Sequence, residues 1–214
     1  MQLLSLNLGK PAVVQYNGKP VETGIYKRPV EGAITLSSVQ LEGDGQADKV
    51  NHGGEDKAVS VYCVEHYPYW RKELNAELPY GAFGENFTVA GMVETDVHIG
   101  DIFETGGALV QISLPRRPCF KLGVRHNRPD MPLLFQNTGY TGYYLRVLKE
   151  GAVTGGTPIR LVDRHPKAIS VAEVNRLKYH DKDDLEAIKA LLEVKELAEG
   201  WRESFRKRLD GSGE

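Results

Sequence analysis

Residues 114–123, LPRRPCFKLG, place Cys119 directly after Pro118, with Arg116 and Arg117 before it and Lys121 after it. Across 114–129 there are five Lys or Arg (Arg116, Arg117, Lys121, Arg125, Arg128) and no Asp or Glu. Neighbouring cations favour a thiolate over a thiol, and the thiolate is both the nucleophile and the metal-binding form of cysteine. Pro115 and Pro118 fix φ and delete backbone donors, which stiffens the presentation of the sulfur. The same residues also suit a loop of merely solvated arginines around a small, buried Cys119. Taken alone, the stretch leaves both readings open. The second cysteine, Cys63 in VSVYCVEHY, alternates with apolar residues and reads as a core residue.

Other stretches offer partners for such a sulfur. His52-Gly53-Gly54, followed by Lys57, combines an imidazole with unobstructed backbone amides, the raw material of an anion nest, although a plain turn between strands needs the same residues. TGIYKRPV adds Lys27 and Arg28, as anion contacts or as surface charge. FGENF brings Glu85 and Asn86 after a glycine turn, and FQNTGYTGYY is polar and glycine-rich enough to line a pocket. The six histidines show no zinc-ligand spacing, though three could converge in space. Ser60 and Ser113 lack a nucleophile elbow. A thiol-hydrolase triad of Cys119, His52 and Asp44 stays open. The acids of LEGDGQAD do not fit a calcium loop, and a solvated turn is expected for them.

The elements that position these groups follow from the rest of the chain. A length of 214 residues suits one sizeable domain or a domain with a small appendage. The formal net charge of −2 argues against wholesale nucleic-acid or membrane binding. No apolar run approaches a membrane span, and MQLLSLNLGKP reads as a strand rather than a leader. Two cysteines cannot build a disulfide framework, so a reducing, cytoplasmic setting is expected. Iron–sulfur and dinucleotide motifs are missing from the sequence, so neither a C-x-x-C pair nor G-x-G-x-x-G marks the chain as its own electron source.

Through residue 165 the texture is β. Asn17-Gly18 predicts a tight type I′ hairpin, because both central residues need positive φ. Alternation from Ile34 to Leu41 predicts one strand. GDIFETGGALVQISL predicts two strands around Gly106-Gly107, and YYLRVLKEGAV with TPIRLVDR predicts another pair turning near Glu150-Gly151. EHYPYWRKEL and MPLLFQNTG predict helices, the second ended by Gly139. Many short strands at such spacing point to a barrel or sandwich, not a parallel sheet. From residue 166 to 214 the pattern turns helical. Ser170 with Glu173 and Asp183 with Glu186 are capping boxes, and EGWRESFRKRLDG ends in basic residues and Gly211. Residues 167–214 hold 10 Lys or Arg against 11 Asp or Glu, a mixed surface rather than a basic arm. Alone these three helices would have a meagre core, so they are expected to pack on the barrel or on another chain.

In order, LEGDGQAD, HGGEDKAVSVY, FGENFTVAGM, VHIGDIF and PRRPCFKL resemble the MOSC domain, the family related to the carboxy-terminal domain of molybdenum-cofactor sulfurase. QNTGYTGYYLRVLKEGAV and the helical tail resemble its YiiM-like branch, and the likeness covers essentially the whole chain. The resemblance implies a mainly β fold: a MOSC β-barrel with a few peripheral helices over 1–165, then a small three-helix domain over 166–214. It implies a molybdenum cofactor, molybdopterin-bound, with Cys119 as metal ligand and catalytic residue. Lys27, His52, Gly53, Gly54, Asn86, Arg116, Arg117 and Lys121 would contact the cofactor. The activity implied is reduction of N-hydroxylated compounds such as hydroxylaminopurines, with electrons from a separate reductase. Two alternatives differ in class: a sulfur carrier holding a persulfide on Cys119, and a module that binds and hands over cofactor without turnover.

Overall fold

The computed structural model describes residues 1–48 and 53–212. Twelve strands appear among them: β1 (Gln2–Leu8), β2 (Ala12–Tyr16), β3 (Lys19–Thr23), β4 (Arg28–Val30), β5 (Ala33–Leu36), β6 (Val59–Cys63), β7 (Phe87–Ala90), β8 (Ile102–Thr105), β9 (Ala108–Pro115), β10 (Tyr143–Lys149), β11 (Gly151–Thr154) and β12 (Thr157–Asp163). The helices are α1 (Tyr67–Leu74), α2 (Phe120–His126), α3 (Met131–Thr138), α4 (Val171–Tyr179), α5 (Leu185–Leu192) and α6 (Glu199–Leu209). Seven strands close a barrel in the order β1, β12, β8, β9, β10, β6, β7 and back to β1. The chain is thus mainly β, a barrel with peripheral helices followed by a three-helix unit.

β1 makes closure possible by serving three partners. Its start pairs with β12 and β7, and its end, Leu6 to Leu8, pairs with β4. The register against β7 shifts between Leu3 and Ser5, the kind of bulge that bends a strand around a barrel. Every barrel pairing is antiparallel except β6 with β7. Parallel neighbours require a crossover, and α1 lies within it.

β9 is buried along nearly all eight residues. One face fills the barrel and the other is covered by the helical unit: α4 packs against it, and the Ala198 amide donates to the Ser113 carbonyl at 3.0 Å. Val171, Leu177, Ile188, Leu191, Trp201 and Phe205 join the same continuous apolar core as the barrel residues Leu6, Val61, Val110 and Ile112. The three helices therefore pack on the barrel. A second core, largely aromatic, joins Tyr62, Tyr67, Trp70, Phe83 and Phe135 beneath α1, α2 and α3.

Several expectations meet their elements. Asn17 (φ 50°) and Gly18 (φ 75°) turn β2 into β3, and Gly106-Gly107 turn β8 into β9. Ser170 Oγ accepts from the Glu173 amide at 3.0 Å, capping α4, although the Glu173 carboxylate turns to Arg176 instead of closing the box. Others need correction. The alternation from Ile34 to Leu41 breaks at Ser37, whose amide bonds the Gln40 carbonyl, so Leu41 folds back to bridge Leu36. β10 and β12 do not pair: β6 and β9 flank β10, β12 is needed between β1 and β8, and the intervening β11 pairs with β5. The second cap is Asp184, accepting from the Ala187 amide at 3.1 Å, rather than Asp183, because burial of Ile188 and Leu191 sets the phase of α5. Finally, α2 begins immediately after Cys119, where only a stiff loop was expected.

Candidate functional site

The cysteine loop is held from both ends. β9 delivers Arg116, whose amide donates to the Gly142 carbonyl at 3.0 Å. Cys119 is the N-cap residue of α2, and one turn later Leu122 drops into the aromatic core. Gly142, at φ 68°, must be glycine: a Cβ there would overlap the Val61 carbonyl oxygen and press on the Arg116 side chain. The sulfur is partly exposed and faces a cleft of about 740 Å³, open mouth included.

Lys27, Asn86, Arg116, Arg117, Cys119 and Lys121 all line this cleft. Gly53 and Gly54 do not. Gly54 caps the 3-10 turn Glu55–Lys57, and it is Lys57, three residues on, that reaches the cleft. His52 lies outside the described residues, as therefore does the His52–Cys119 part of any triad. Arg28 is exposed on β4. Among the described residues lining the cleft, Lys27, Lys57, Arg116, Arg117 and Lys121 are cationic and Asp48 is the one carboxylate.

Each wall is anchored by a polar network. Asp44, expected on a solvated turn, is buried instead. It is ion-paired with the Lys27 ammonium, accepts from the Gly9 amide at 2.9 Å and accepts from Asn86 Nδ2 at 2.9 Å. Asn86 Oδ1 in turn accepts from the Ser60 amide at 3.1 Å, tying loop, β6 and β7 together. A buried ammonium in an acid-poor wall needs such a partner. Burial pushes the Lys27 ammonium below its ordinary value against the pull of Asp44. Burial likewise lowers Lys57, with Asp56 opposing and Arg117 reinforcing.

Arg116 is the most informative neighbour of the sulfur. Its Nη2 donates to the Phe83 carbonyl at 2.7 Å and its guanidinium lies 5.9 Å from the Tyr62 ring centroid. Its Nη1 is buried with no hydrogen-bond partner among the described residues. A buried charged donor without an acceptor costs on the order of 1–3 kcal/mol or more, which an anionic ligand in the cleft would relieve. Tyr144, opposite Leu114 in the β9–β10 ladder, also lines the cleft. Burial raises its phenol, with Arg116 opposing and the nearby Cys119 adding to the rise, so Oη keeps its proton at neutral pH. Sequence reasoning named the tract around Tyr144 without singling it out; the period of two along the strand beside the cysteine strand is the signal that finds it.

Cys63 is fully buried and donates to the Met92 carbonyl at 3.0 Å, its thiol pushed up by burial and then by Glu94. With His66 and Glu94 it forms the one Cys/His/carboxylate trio that converges among the described residues. His66 Nε2 and Glu94 Oε2 already bond each other at 2.6 Å, and Glu94 Oε1 accepts from the Gly142 amide at 2.7 Å. These contacts brace the loop behind Arg116.

Fold and cleft together define a closed seven-stranded barrel with a cationic, cysteine-bearing mouth and a helical annex. The chain belongs to the MOSC domain family, whose pattern it matches over residues 48–160. Residues 169–211 match the YiiM-like, 3-alpha helix domain. The crystal structure of YiiM from Geobacillus stearothermophilus superposes with a TM-score of 0.84 at 40% identity, covering 97% of this chain and 98% of that one. An uncharacterized Bacillus subtilis protein, YflK, is 52% identical across 97% of this chain and 94% of its own length. A Gibberella moniliformis protein named reductase is 37% identical over 75% of this chain, which spans 29% of that longer protein. Among the described residues no helix is long and apolar enough to cross a membrane.

Proposed function

We propose that this protein is a molybdenum-cofactor-dependent reductase of N-hydroxylated compounds. The observation that carries the reading is one wall of the cleft: a partly exposed cysteine and an arginine whose buried Nη1 has no hydrogen-bond acceptor among the described residues, ringed by further cations. That donor set fits a group that is both anionic and thiol-seeking. Soft sulfur donors suit thiolate-rich metals, and guanidinium and ammonium groups suit phosphate. Cys119 would be the protein ligand, with Lys27, Asn86, Arg116, Arg117 and Lys121 holding the anionic portion. The bound cofactor would supply the two-electron chemistry. The chain's own residues would orient the substrate, and the protonated Tyr144, on the lining of the same cleft, would supply a proton to the departing oxygen. The name of the Gibberella relative agrees with a reductive role.

Two electrons and two protons are consumed per N–O bond, and a separate reductase, acting in a reducing cytoplasm, is the proposed source. Protein made in a host that synthesises the cofactor should carry molybdenum and pterin near one per chain. It should reduce hydroxylaminopurine with an added electron donor and remain idle with NAD(P)H alone. Absence of molybdenum from such protein overturns the proposal. The partly exposed, disulfide-free Cys119 also favours a second reading, sulfur transfer as a persulfide. Metal-free protein with a mass gain of about 32 Da on Cys119 would select it.

A further inference from the structure

The helical unit separates its charges by face. On α4, Arg176 gathers three carboxylates, those of Glu173, Asp181 and Asp184. Lys178 lies two residues further on, roughly 200° around the helix. The charged groups that act on it are cations: Arg117 of the cysteine loop, Arg208 of α6 and Lys182 just past α4. None of these four is ion-paired with a carboxylate among the described residues. Tyr179, the next residue, buries its Oη with no hydrogen-bond partner among them. We infer that Arg117, Lys178, Tyr179, Lys182 and Arg208 form a phosphate-binding site at the seam between the helical unit and the cysteine loop. Of its members only Arg117 also lines the cleft, and the inference is independent of the reductase reading.

Three features carry it. The cations are held in place. Lys178 Nζ lies 5.8 Å from the ring centroids of both Trp201 and Phe205 and donates to Ser204 Oγ at 2.5 Å. The Arg208 guanidinium lies 5.3 Å from the Phe205 centroid, and its Nη1 donates to the Leu177 carbonyl at 2.6 Å. Two buried rings thus form a floor under both groups. The second feature is the Tyr179 hydroxyl. Burial raises its phenol and Arg117 opposes, but a guanidinium is donor-only, so the hydroxyl proton has no acceptor there. The third is uncompensated charge. Cations at a helix C-terminus answer the helix dipole, and the Arg208 bond to Leu177 fits that role. Lys178 does not: it turns to a hydroxyl and two rings, and burial followed by Arg117, Arg208 and Lys182 pushes its ammonium down to about 8. A phosphate dianion offsets that repulsion. Guanidinium, ammonium and hydroxyl donors together match its several oxygens, which a single-point anion such as chloride cannot use.

The test titrates inorganic phosphate into the full chain by calorimetry, against potassium chloride at matched ionic strength. Wild type should bind saturably. Lys178→Met and Tyr179→Phe should each raise Kd by roughly tenfold or more, the loss of one charge-assisted hydrogen bond. Without phosphate, Tyr179→Phe should melt at or above the wild-type temperature, because it removes an unsatisfied hydroxyl. A tyrosine with a purely structural role would not combine those two effects. Lys27→Met, in the cleft, should leave the binding in place. In NMR, the ε-carbon of Lys178 should titrate near 8 in chloride and higher when phosphate saturates. Ribose 5-phosphate, run in parallel, separates the sources: tighter binding than inorganic phosphate identifies a phosphate ester as occupant, and equal or weaker binding identifies the free ion. Absence of saturable phosphate binding overturns the site, as does wild-type affinity in both variants. Loss of binding in Lys27→Met alone also overturns it, by placing the phosphate in the cleft. If Lys178→Met does not fold, Lys182→Met takes its place beside Tyr179→Phe, and wild-type affinity in both is again fatal. None of these measurements needs molybdenum, so they read the same whether or not the reductase assay succeeds.

Discussion

Two cysteines in one chain occupy opposite environments, and the contrast is a direct test of which one matters. Cys119 is partly exposed in a cleft with five cationic neighbours among the described residues, whereas Cys63 is sealed and bonded to the Met92 carbonyl. Replacing Cys119 by Ser should leave the melting temperature near that of wild type while molybdenum content and turnover are lost. Cys63→Ser keeps a donor for Met92 and should cost about 1 kcal/mol of stability with the metal retained. Equal loss of metal in the two variants would remove the case for Cys119. Tyr144→Phe deletes the phenol proton from the cleft that Cys119 and Arg116 line. It should keep the metal but lower kcat by about a hundredfold, and flatten any alkaline limb of the rate profile. A profile and kcat identical to wild type would reduce Tyr144 to a wall of the cleft.

At the scale of elements, α2 holds the cysteine loop in place, and His126 near its end reports on that packing. His126 Nε2 donates to the Ala82 carbonyl at 3.0 Å, and burial, only partly offset by that bond, pushes its pKa down from 6.5 to about 4. Between these values the unfolded chain binds a proton that the folded one refuses. Stability should therefore fall as pH drops from 6.5 to 4, by at most about 3 kcal/mol. His126→Gln preserves a donor to Ala82 and should shrink that loss in urea titrations at pH 7 and pH 4.5; an unchanged loss assigns the acid sensitivity elsewhere. The same helix shows where sequence reasoning stops. Asn17-Gly18 and Ser170 with Glu173 were legible because hairpin and cap chemistry act over three or four residues. α2 was not, since Gly123 and the flanking prolines weaken its local signal. Gly123 is there because the Arg128 carbonyl and Pro129 crowd it, a contact set by the following turn. Asp44 misled for a related reason: its partners Lys27 and Asn86 lie 17 and 42 residues away. The motifs around Cys119 could be read locally, while the networks that hold them are products of barrel closure.

Across the whole molecule, barrel and helices share one core. The segment after residue 166 contributes Val171, Val174, Leu177, Ile188, Leu191 and Phe205 to it, all essentially inaccessible to solvent. Its backbone also completes bonds that the barrel leaves open: the Val171 amide donates to the Val97 carbonyl at 3.0 Å, Ala172 to Glu94 at 2.9 Å and Ala198 to Ser113 at 3.0 Å. Burial of six such side chains is worth about 1.5–3 kcal/mol each before entropy is charged against it, together a sum of the same size as the 5–15 kcal/mol by which ordinary domains are stable. The face of β9 that the helices cover would then meet water. Removing residues 167–214 should consequently abolish cooperative unfolding and drive the barrel to aggregate, and the loss of activity would follow from the loss of fold. A milder change separates the roles. Phe205→Ala, a buried position on α6 away from the cysteine cleft, should cost about 3–5 kcal/mol in denaturant titrations. A truncated barrel that melts cooperatively near the full-length temperature would show instead that the helices are an independent unit laid on a self-sufficient core.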